Sequence, residues 1–285
     1  MKLKQKLAIN YIRARLNILA LVSARSAAKK AMDIFCSPLQ RSGKKLPSLF
    51  DKGEKLSFKL DGISIRGHRW RPHQASTATL KKVLIAHGFE SSSRNFEQYI
   101  QAFLKKGYEV LAFDAPAHGQ SGGRRITLPM YIQMLGNVMD RFGPIDACMG
   151  HSFGGLALTL LLESQPRQPD TRLVLIAPAC EAVRAVDSFF DLLHLNGEVR
   201  AAFDEIGRQI TGQPFSYFSI RRAMHRLQTS TLWLQDEEDL ITPLEDALLV
   251  KGDGHPNIEF VITKGLGHRK IYRDADVLRQ VVAFL

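Results

Sequence analysis

The sequence predicts an α/β protein with a mostly parallel central sheet, helices on both faces, a helical cap insertion and a helical N-terminal arm. Three observations carry this. Short apolar runs recur between stretches of helical spacing, at residues 82–86, 108–113, 145–149, 172–177, 230–235 and 258–263. One of them, Ile145 to Met149, enters Gly150-His151-Ser152-Phe153-Gly154 and leaves through the helix-forming run Leu156 to Glu163, a strand, turn and helix centred on a serine. A chain of 285 residues, 45% of them hydrophobic, is long enough to bury a large core.

The pentapeptide carries the most chemistry. A serine on so sharp a turn has its hydroxyl pushed out above the sheet, where it can act as a nucleophile. The turn crowds strand and helix against the serine, so the positions two before and two after it must lack bulk, a condition met by Gly150, Gly154 and also Gly155. Upstream, the run 82–86 ends at His87-Gly88-Phe89-Glu90 and is followed by a helical stretch from Ser92 to Lys106. Negative charge growing on an attacked carbonyl oxygen needs two backbone N–H donors. In this architecture they come from the loop after such a strand and from the residue following the serine, which makes Phe89 and Phe153 the candidates.

The strand 108–113 runs into Asp114-Ala115-Pro116-Ala117-His118-Gly119-Gln120-Ser121-Gly122. With this stretch the sequence resembles the α/β-hydrolase superfamily, whose members often carry D-x-P-G-x-G-x-S here. Ala117 stands where that pattern has glycine, so the turn is built with less freedom. His118 precedes the serine, the wrong place for a base in the superfamily's order, and reads as a loop-packing residue.

The resemblance covers about Lys55 to Leu285 and implies the chain order Ser, then Asp or Glu, then His. In Asp236-Glu237-Glu238-Asp239-Leu240-Ile241-Thr242-Pro243, Asp239 alone has the family's D-x-[IV]-x-P context and is the implied acid. Asp236 is kept as the alternative, and Glu237 and Glu238 read as solvated. Thr242-Pro243-Leu244-Glu245 reads as a capping box with proline at the first helical position. Catalytic groups in open parallel sheets gather at the carboxyl ends of the strands. His268, which follows the strand 258–263, is therefore the expected base, and His255, which precedes it, is not.

Such a set attacks an acyl carbonyl: Ser152 as nucleophile, His268 as proton carrier, Asp239 fixing the imidazole tautomer. Serine at 152 argues against the dehalogenase and epoxide hydrolase branches, which use aspartate there. A small-molecule ester or thioester with an apolar part is the expected substrate. Amide, lactone or carbon–carbon bond hydrolysis, and a catalytically silent binding or scaffold role, are the alternatives.

No phosphate-cradling G-x-x-x-x-G-K-[ST], no G-x-G-x-x-G opening a helix after a strand and no zinc-like His/Cys spacing is present, so no cofactor and no metal is expected. Cys36, Cys148 and Cys180 form no C-x-x-C and no even framework, and read as free thiols in a reducing compartment. The net charge of +11 is localised. Residues 1–50 hold eleven Lys or Arg against one acid, Asp33, while the rest of the chain has 28 basic and 27 acidic residues. A nucleic-acid surface on the main body is therefore not expected.

Residues 1–50 read as a basic helical arm and linker, and 51–285 as the hydrolase domain with a cap insertion at about 179–227. In the arm, Leu3, Leu7, Tyr11, Ile18 and Leu21 fall on one side of a helix and Lys2, Lys6 and Arg13 opposite, with Lys4 and Arg15 intruding on the apolar side. The uncharged run Leu16 to Ala24 is too short to span a membrane. We read the arm as a retained helix docked on the body or on a partner; a membrane-surface helix and a cleaved signal peptide are the other readings. Residues 27–35 continue the helical pattern, Ser37-Pro38 stops it, and Arg41 to Gly53 reads as a linker. The basic helix ending in Phe35-Cys36-Ser37-Pro38, together with Gly265-Leu266-Gly267-His268-Arg269, is similar to a bacterial subgroup of uncharacterised α/β-hydrolases. The expected location is the cytoplasm, with peripheral contact at the inner membrane surface and homo-oligomerisation both left open.

The cap has apolar positions at helical spacing, such as Val183, Val186, Phe190 and Leu193, and concentrates Phe189, Phe190, Phe203, Phe215, Tyr217 and Phe218. Most of these aromatics are expected to pack, the remainder to line an apolar acyl site. Arg221, Arg222 and Arg226 are expected on a solvated helix face, with a substrate anion as the alternative partner.

Overall fold

The computed structural model describes residues 3–39, 46–72, 80–165 and 170–285. Its chain forms two compact units, one of Met1–Pro38 with Glu181–Ser219 and one of Leu39–Cys180 with Ile220–Leu285.

The larger unit is built on one eight-stranded sheet: β1 (Glu54–Leu60), β2 (Ile63–Trp70), β3 (Lys82–Ala86), β4 (Glu109–Asp114), β5 (Ala147–His151), β6 (Arg172–Ile176), β7 (Ser230–Asp236) and β8 (Ile258–Thr263). The order across the sheet is β1-β2-β4-β3-β5-β6-β7-β8. Only β2 runs against its neighbours; from β4 to β8 every pair is parallel. Parallel strands need crossovers, and crossover helices cover both faces. That is why β4 and β5 are buried at every position and why residues 110–113 and 147–149 read as continuous apolar runs rather than alternating ones.

The helix Glu97–Lys105 shows how such a cover forms. Tyr99, Ile100 and Phe103 recur at helical spacing and pack with Val83, Ile85, Val110 and the C-terminal Val277 and Val281 in one core cluster. The six strands expected from the sequence are present within two residues at each end. The hairpin β1–β2 adds two more, closed by Asp61 and Gly62, both in the left-handed region with φ of 46° and 80°. The stretch read as a linker is partly packed: residues 41–45 lie outside the described residues, but Leu49–Lys52 forms a helical turn whose Phe50 is buried edge-on against Trp70.

In the smaller unit, the arm forms α1 (Leu3–Val22) and α2 (Ala24–Phe35), separated at Ser23, whose hydroxyl accepts the Ser26 N–H at 3.2 Å and caps α2. The buried Ala27, Ala28 and Ala31 give α2 a narrow face that allows close approach of the helix Gly197–Thr211. Met32, Val186, Phe190, Val199 and Phe203 fill the core beside it. Arg13 donates to the Leu192 carbonyl at 2.7 Å and Asn17 to the Leu193 carbonyl at 3.1 Å, satisfying acceptors at the open end of the helix Ala182–Leu193. Of the aromatics expected in the insertion, Phe189, Phe190, Phe203 and Phe215 join this core, with Phe190 and Phe203 edge-on at 5.1 Å.

Candidate active site

Four loops leave the carboxyl ends of parallel strands in the larger unit, and each carries one predicted group. Phe89 follows β3, Ser152 follows β5, Asp239 follows β7 and His268 follows β8. Ser152 sits at φ 53° and ψ −122°, a conformation that costs an L-residue about 1–3 kcal/mol and that the surrounding packing must hold. Its N–H donates to the Ile176 carbonyl at 3.2 Å, and its own carbonyl accepts from Gly155, Leu156 and Ala179. The backbone of the turn is thus tied to β6 on one side and to the helix Phe153–Ser164 on the other.

Gly154 shows the steric demand. A Cβ there would lie 2.4 Å from the Ala86 carbonyl oxygen and 2.6 Å from that of His87, both backbone atoms that cannot step aside.

The side chains converge in a line. His268 Nε2 is 3.0 Å from Ser152 Oγ, and His268 Nδ1 is 2.8 Å from Asp239 Oδ2. Asp239 Oδ1 accepts the N–H groups of Ile241 and Thr242 at 2.8 and 2.9 Å. Burial pushes the Asp239 carboxyl up, but the hydrogen bonds from His268 and from Thr242 outweigh it and hold the group below the usual carboxylate range. An ionised, acceptor-only Asp239 requires the proton on His268 Nδ1. That leaves Nε2 as an acceptor for the Ser152 hydroxyl.

Thr242 departs from the sequence reading. The helix Leu244–Gly252 has no side-chain cap; the Thr242 hydroxyl donates instead to Asp239 Oδ2 at 2.8 Å and lies 3.1 Å from His268 Nδ1. A buried hydroxyl beside a carboxylate makes a charge-assisted bond, stronger than a neutral cap. Asp236 does not touch His268. Its carboxylate accepts from the N–H groups of Glu238, Leu266 and Gly267 and from the Thr263 hydroxyl, so it shapes the loop that ends at His268. His255 makes no contact with this group; it lies beside His225 and Asp253.

The loop after β3 is held by two histidines. His87 Nδ1–H donates to the Gly88 carbonyl at 2.8 Å while Nε2 accepts the Ala115 N–H at 3.0 Å. His118 Nε2 accepts the Glu90 N–H at 3.1 Å, and its Nδ1–H donates to Pro116 at 2.9 Å. Each ring therefore works as a neutral donor and acceptor, and burial lowers the pKa of His87 further. His118 is more than filler: it fixes the backbone next to Phe89. Ala117 does take the left-handed φ, 65°, that glycine would adopt without strain. The Phe89 and Phe153 rings meet edge-on at 6.3 Å, and Gly88 is pressed so close that a Cβ would lie 3.0 Å from Ser152 Cβ. The Phe89 N–H has no hydrogen-bond acceptor among the described residues, and Phe153 is the first residue of its helix, where N–H groups lack intrahelical partners.

Sequence reasoning missed His151. Its Nε2 is 3.0 Å from the His268 carbonyl oxygen, and its ring lies 4.7 Å from that of His268 and 4.5 Å from that of Tyr272. Of the three arginines expected on a solvated helix face, Arg226 is exposed, while Arg221 and Arg222 are partly exposed and held in ion pairs, with Asp253 at 2.7 Å and with Glu163 at 2.6 Å.

One group of three donors with metal-ligating chemistry stands among the described residues, His225, Asp253 and His255, with ligand atoms within 4.8 Å of one another. Both oxygens of Asp253 are occupied by the Arg221 guanidinium at 2.7 Å, a cation that opposes a second one.

The family described as Serine aminopeptidase, S33, matches residues 77–203, a segment that contains Phe89, Ser152 and Phe153 and stops before Asp239 and His268. The bifunctional esterase/perhydrolase DCH of Acinetobacter calcoaceticus is 26% identical over 155 residues, 53% of this chain and 52% of that protein. The chain spans about half or less of the length of the curated relatives it matches. Among solved structures, the Pyrococcus furiosus esterase Pf2001 superposes with a TM-score of 0.64 at 20% identity, covering 87% of this chain and 98% of that one. The thioesterase domain from the curacin biosynthetic pathway does so with a TM-score of 0.58 at 17% identity, covering 81% and 99%.

Proposed function

Because the chain belongs to the α/β-hydrolase superfamily, we propose that it is a serine hydrolase cleaving a carboxylic ester or thioester with an apolar group. The observation that carries this reading is the unbroken line from Ser152 Oγ to His268 Nε2 and from His268 Nδ1 to Asp239 Oδ2, at 3.0 and 2.8 Å. Ser152 Oγ attacks the acyl carbonyl carbon while its proton passes to His268 Nε2. The tetrahedral oxyanion takes hydrogen bonds from the Phe89 and Phe153 amides. The imidazolium, stabilised by ionised Asp239, then gives its proton to the leaving alcohol or thiol, and water repeats the sequence to release the acid.

Three exposed apolar side chains beside these loops support an apolar substrate: Phe89 at 38%, Leu240 at 94% and Ile241 at 59% exposure. Esterase and thioesterase relatives support the bond type. The aminopeptidase description of the matching family supports an amide as the second reading. Cys36, Cys148 and Cys180 are buried and joined by no disulfide, which fits the cytoplasmic setting expected from the sequence.

The test is a panel of p-nitrophenyl esters of increasing acyl length, acyl-CoA thioesters and aminoacyl p-nitroanilides, run with the wild type and with Ser152→Ala. Ester or thioester turnover that is lost in the variant supports the proposal. Turnover confined to the anilides moves the protein to the amide reading, and no turnover of any member overturns the catalytic assignment in favour of the binding or scaffold role.

A further inference from the structure

We infer that α1 is an in-plane docking helix for anionic membrane surfaces, an interaction independent of the hydrolytic chemistry. Within its own unit α1 packs through Ile9, Ile12, Leu16 and Leu19. This is the opposite side from the stripe that the sequence pattern singled out. Leu7, Tyr11, Ile18, Leu21 and Val22 are left 60%, 62%, 65%, 88% and 83% exposed. At 3.6 residues per turn these five positions fall within an arc of roughly 100°, so they form one continuous ridge rather than scattered apolar residues. A soluble surface gains nothing from five such side chains in a row, whereas a lipid interface takes them in.

Charge selects the occupant. Residues 1–38 hold eight Lys or Arg and a single acid, Asp33. Lys6 and Arg15 are exposed on either side of the ridge, and Arg25, Lys29 and Lys30 are exposed on α2. A second copy of the same ridge would bring basic flanks against basic flanks, while an anionic leaflet supplies the missing counter-charge. No helix of the described residues is long and apolar enough to cross a membrane. The helix therefore lies in the interface, apolar ridge toward the acyl chains and basic side chains at the headgroups.

The test uses the full chain and sedimentation with vesicles of phosphatidylcholine alone or mixed with phosphatidylglycerol. The proposal expects binding to the mixed vesicles at low salt, little to phosphatidylcholine, and release as salt shortens the reach of the charges to roughly 8–10 Å. Ile18→Glu with Leu21→Glu should lower the partition coefficient by at least about tenfold, since two ridge contacts are lost. Lys29→Glu with Lys30→Glu should weaken binding to the anionic vesicles alone. Unchanged melting curves show that these exposed substitutions leave the fold in place. The inference is overturned by absence of sedimentation at low salt, by equal binding to neutral vesicles, or by equal binding of the Ile18→Glu/Leu21→Glu protein. It is also overturned if analytical ultracentrifugation finds a lipid-independent dimer that this double substitution dissociates, which would assign the ridge to self-association.

Discussion

His151 Nε2 lies 3.0 Å from the main-chain oxygen of His268, so the residue before the nucleophile holds the backbone of the residue that would serve as its base. A carbonyl can only accept, so Nε2 carries the hydrogen, and Nδ1 is left buried without a hydrogen-bond partner. Burial, helped by the nearby His268, pushes the His151 pKa down from 6.5 to about 3. In the folded chain the ring is neutral well below pH 6.5.

That shift has a stability consequence. The unfolded chain takes up a proton on His151 as pH falls through 6.5, whereas the folded chain refuses it until about 3. Stability is therefore complete above pH 6.5 and declines as pH falls toward 3, by up to about 1.4 kcal/mol per pH unit for one proton. His151→Gln retains an amide donor for the His268 carbonyl but cannot titrate. Urea midpoints measured between pH 7 and pH 4 should fall less steeply in this variant than in the wild type. Parallel slopes would contradict the buried, neutral histidine.

Thr242→Val removes the hydroxyl that lies 2.8 Å from Asp239 Oδ2 and 3.1 Å from His268 Nδ1 while keeping its shape. One lost hydrogen bond to a charged group is worth about 1.5–3 kcal/mol, so kcat on a p-nitrophenyl ester should drop by roughly 10- to 100-fold. A helix cap would instead move the melting temperature and leave kcat alone.

The two aspartates should separate by readout. Asp239→Asn presents an amide to His268 Nδ1, favours the wrong tautomer and should cost on the order of 10⁴ in kcat. Asp236→Asn should show mainly in stability. Its carboxylate accepts four donors around the loop that precedes His268, and an amide nitrogen there would face N–H groups. Equal losses of kcat in two equally stable variants would overturn this division.

Two glycines test packing against chemistry. Gly154→Ala drives a methyl onto the Ala86 and His87 carbonyls and should destabilise the fold by on the order of 1–3 kcal/mol. Gly88→Ala places its methyl 3.0 Å from Ser152 Cβ and from His151 Nδ1. It should lower kcat through the nucleophile and the adjoining Phe89 amide, with a smaller change in the urea midpoint.

The elbow was legible because sterics write it locally: a strained serine needs small neighbours, and strand runs place each loop at one end of the sheet, whereas the order of the site residues and the choice of Asp239 came from the resemblance to the α/β-hydrolases. The β1–β2 hairpin had an equally local signal in Asp61-Gly62, flanked by the alternation Leu56, Phe58, Leu60, but sat in a charged stretch that masked it. Thr242 was misread because a capping pattern and an acid-supporting hydroxyl use the same residue types, and only the spatial approach of Asp239 decides between them. The role of His151 was illegible for the same reason, since its partner lies 117 positions away. The arm deceived by having two apolar faces. The pattern marked the more regular one, and the structure buries the other, Ile9, Ile12, Leu16 and Leu19.

If Ser152 is a nucleophile activated by His268, a fluorophosphonate probe labels it covalently, and mass-spectrometric mapping identifies the modified residue. The predicted result is a single adduct on Ser152, absent in Ser152→Ala and strongly reduced in His268→Ala, with His255→Ala labelling as the wild type does. Labelling at another residue, or undiminished labelling of a folded Ser152→Ala protein, would contradict it.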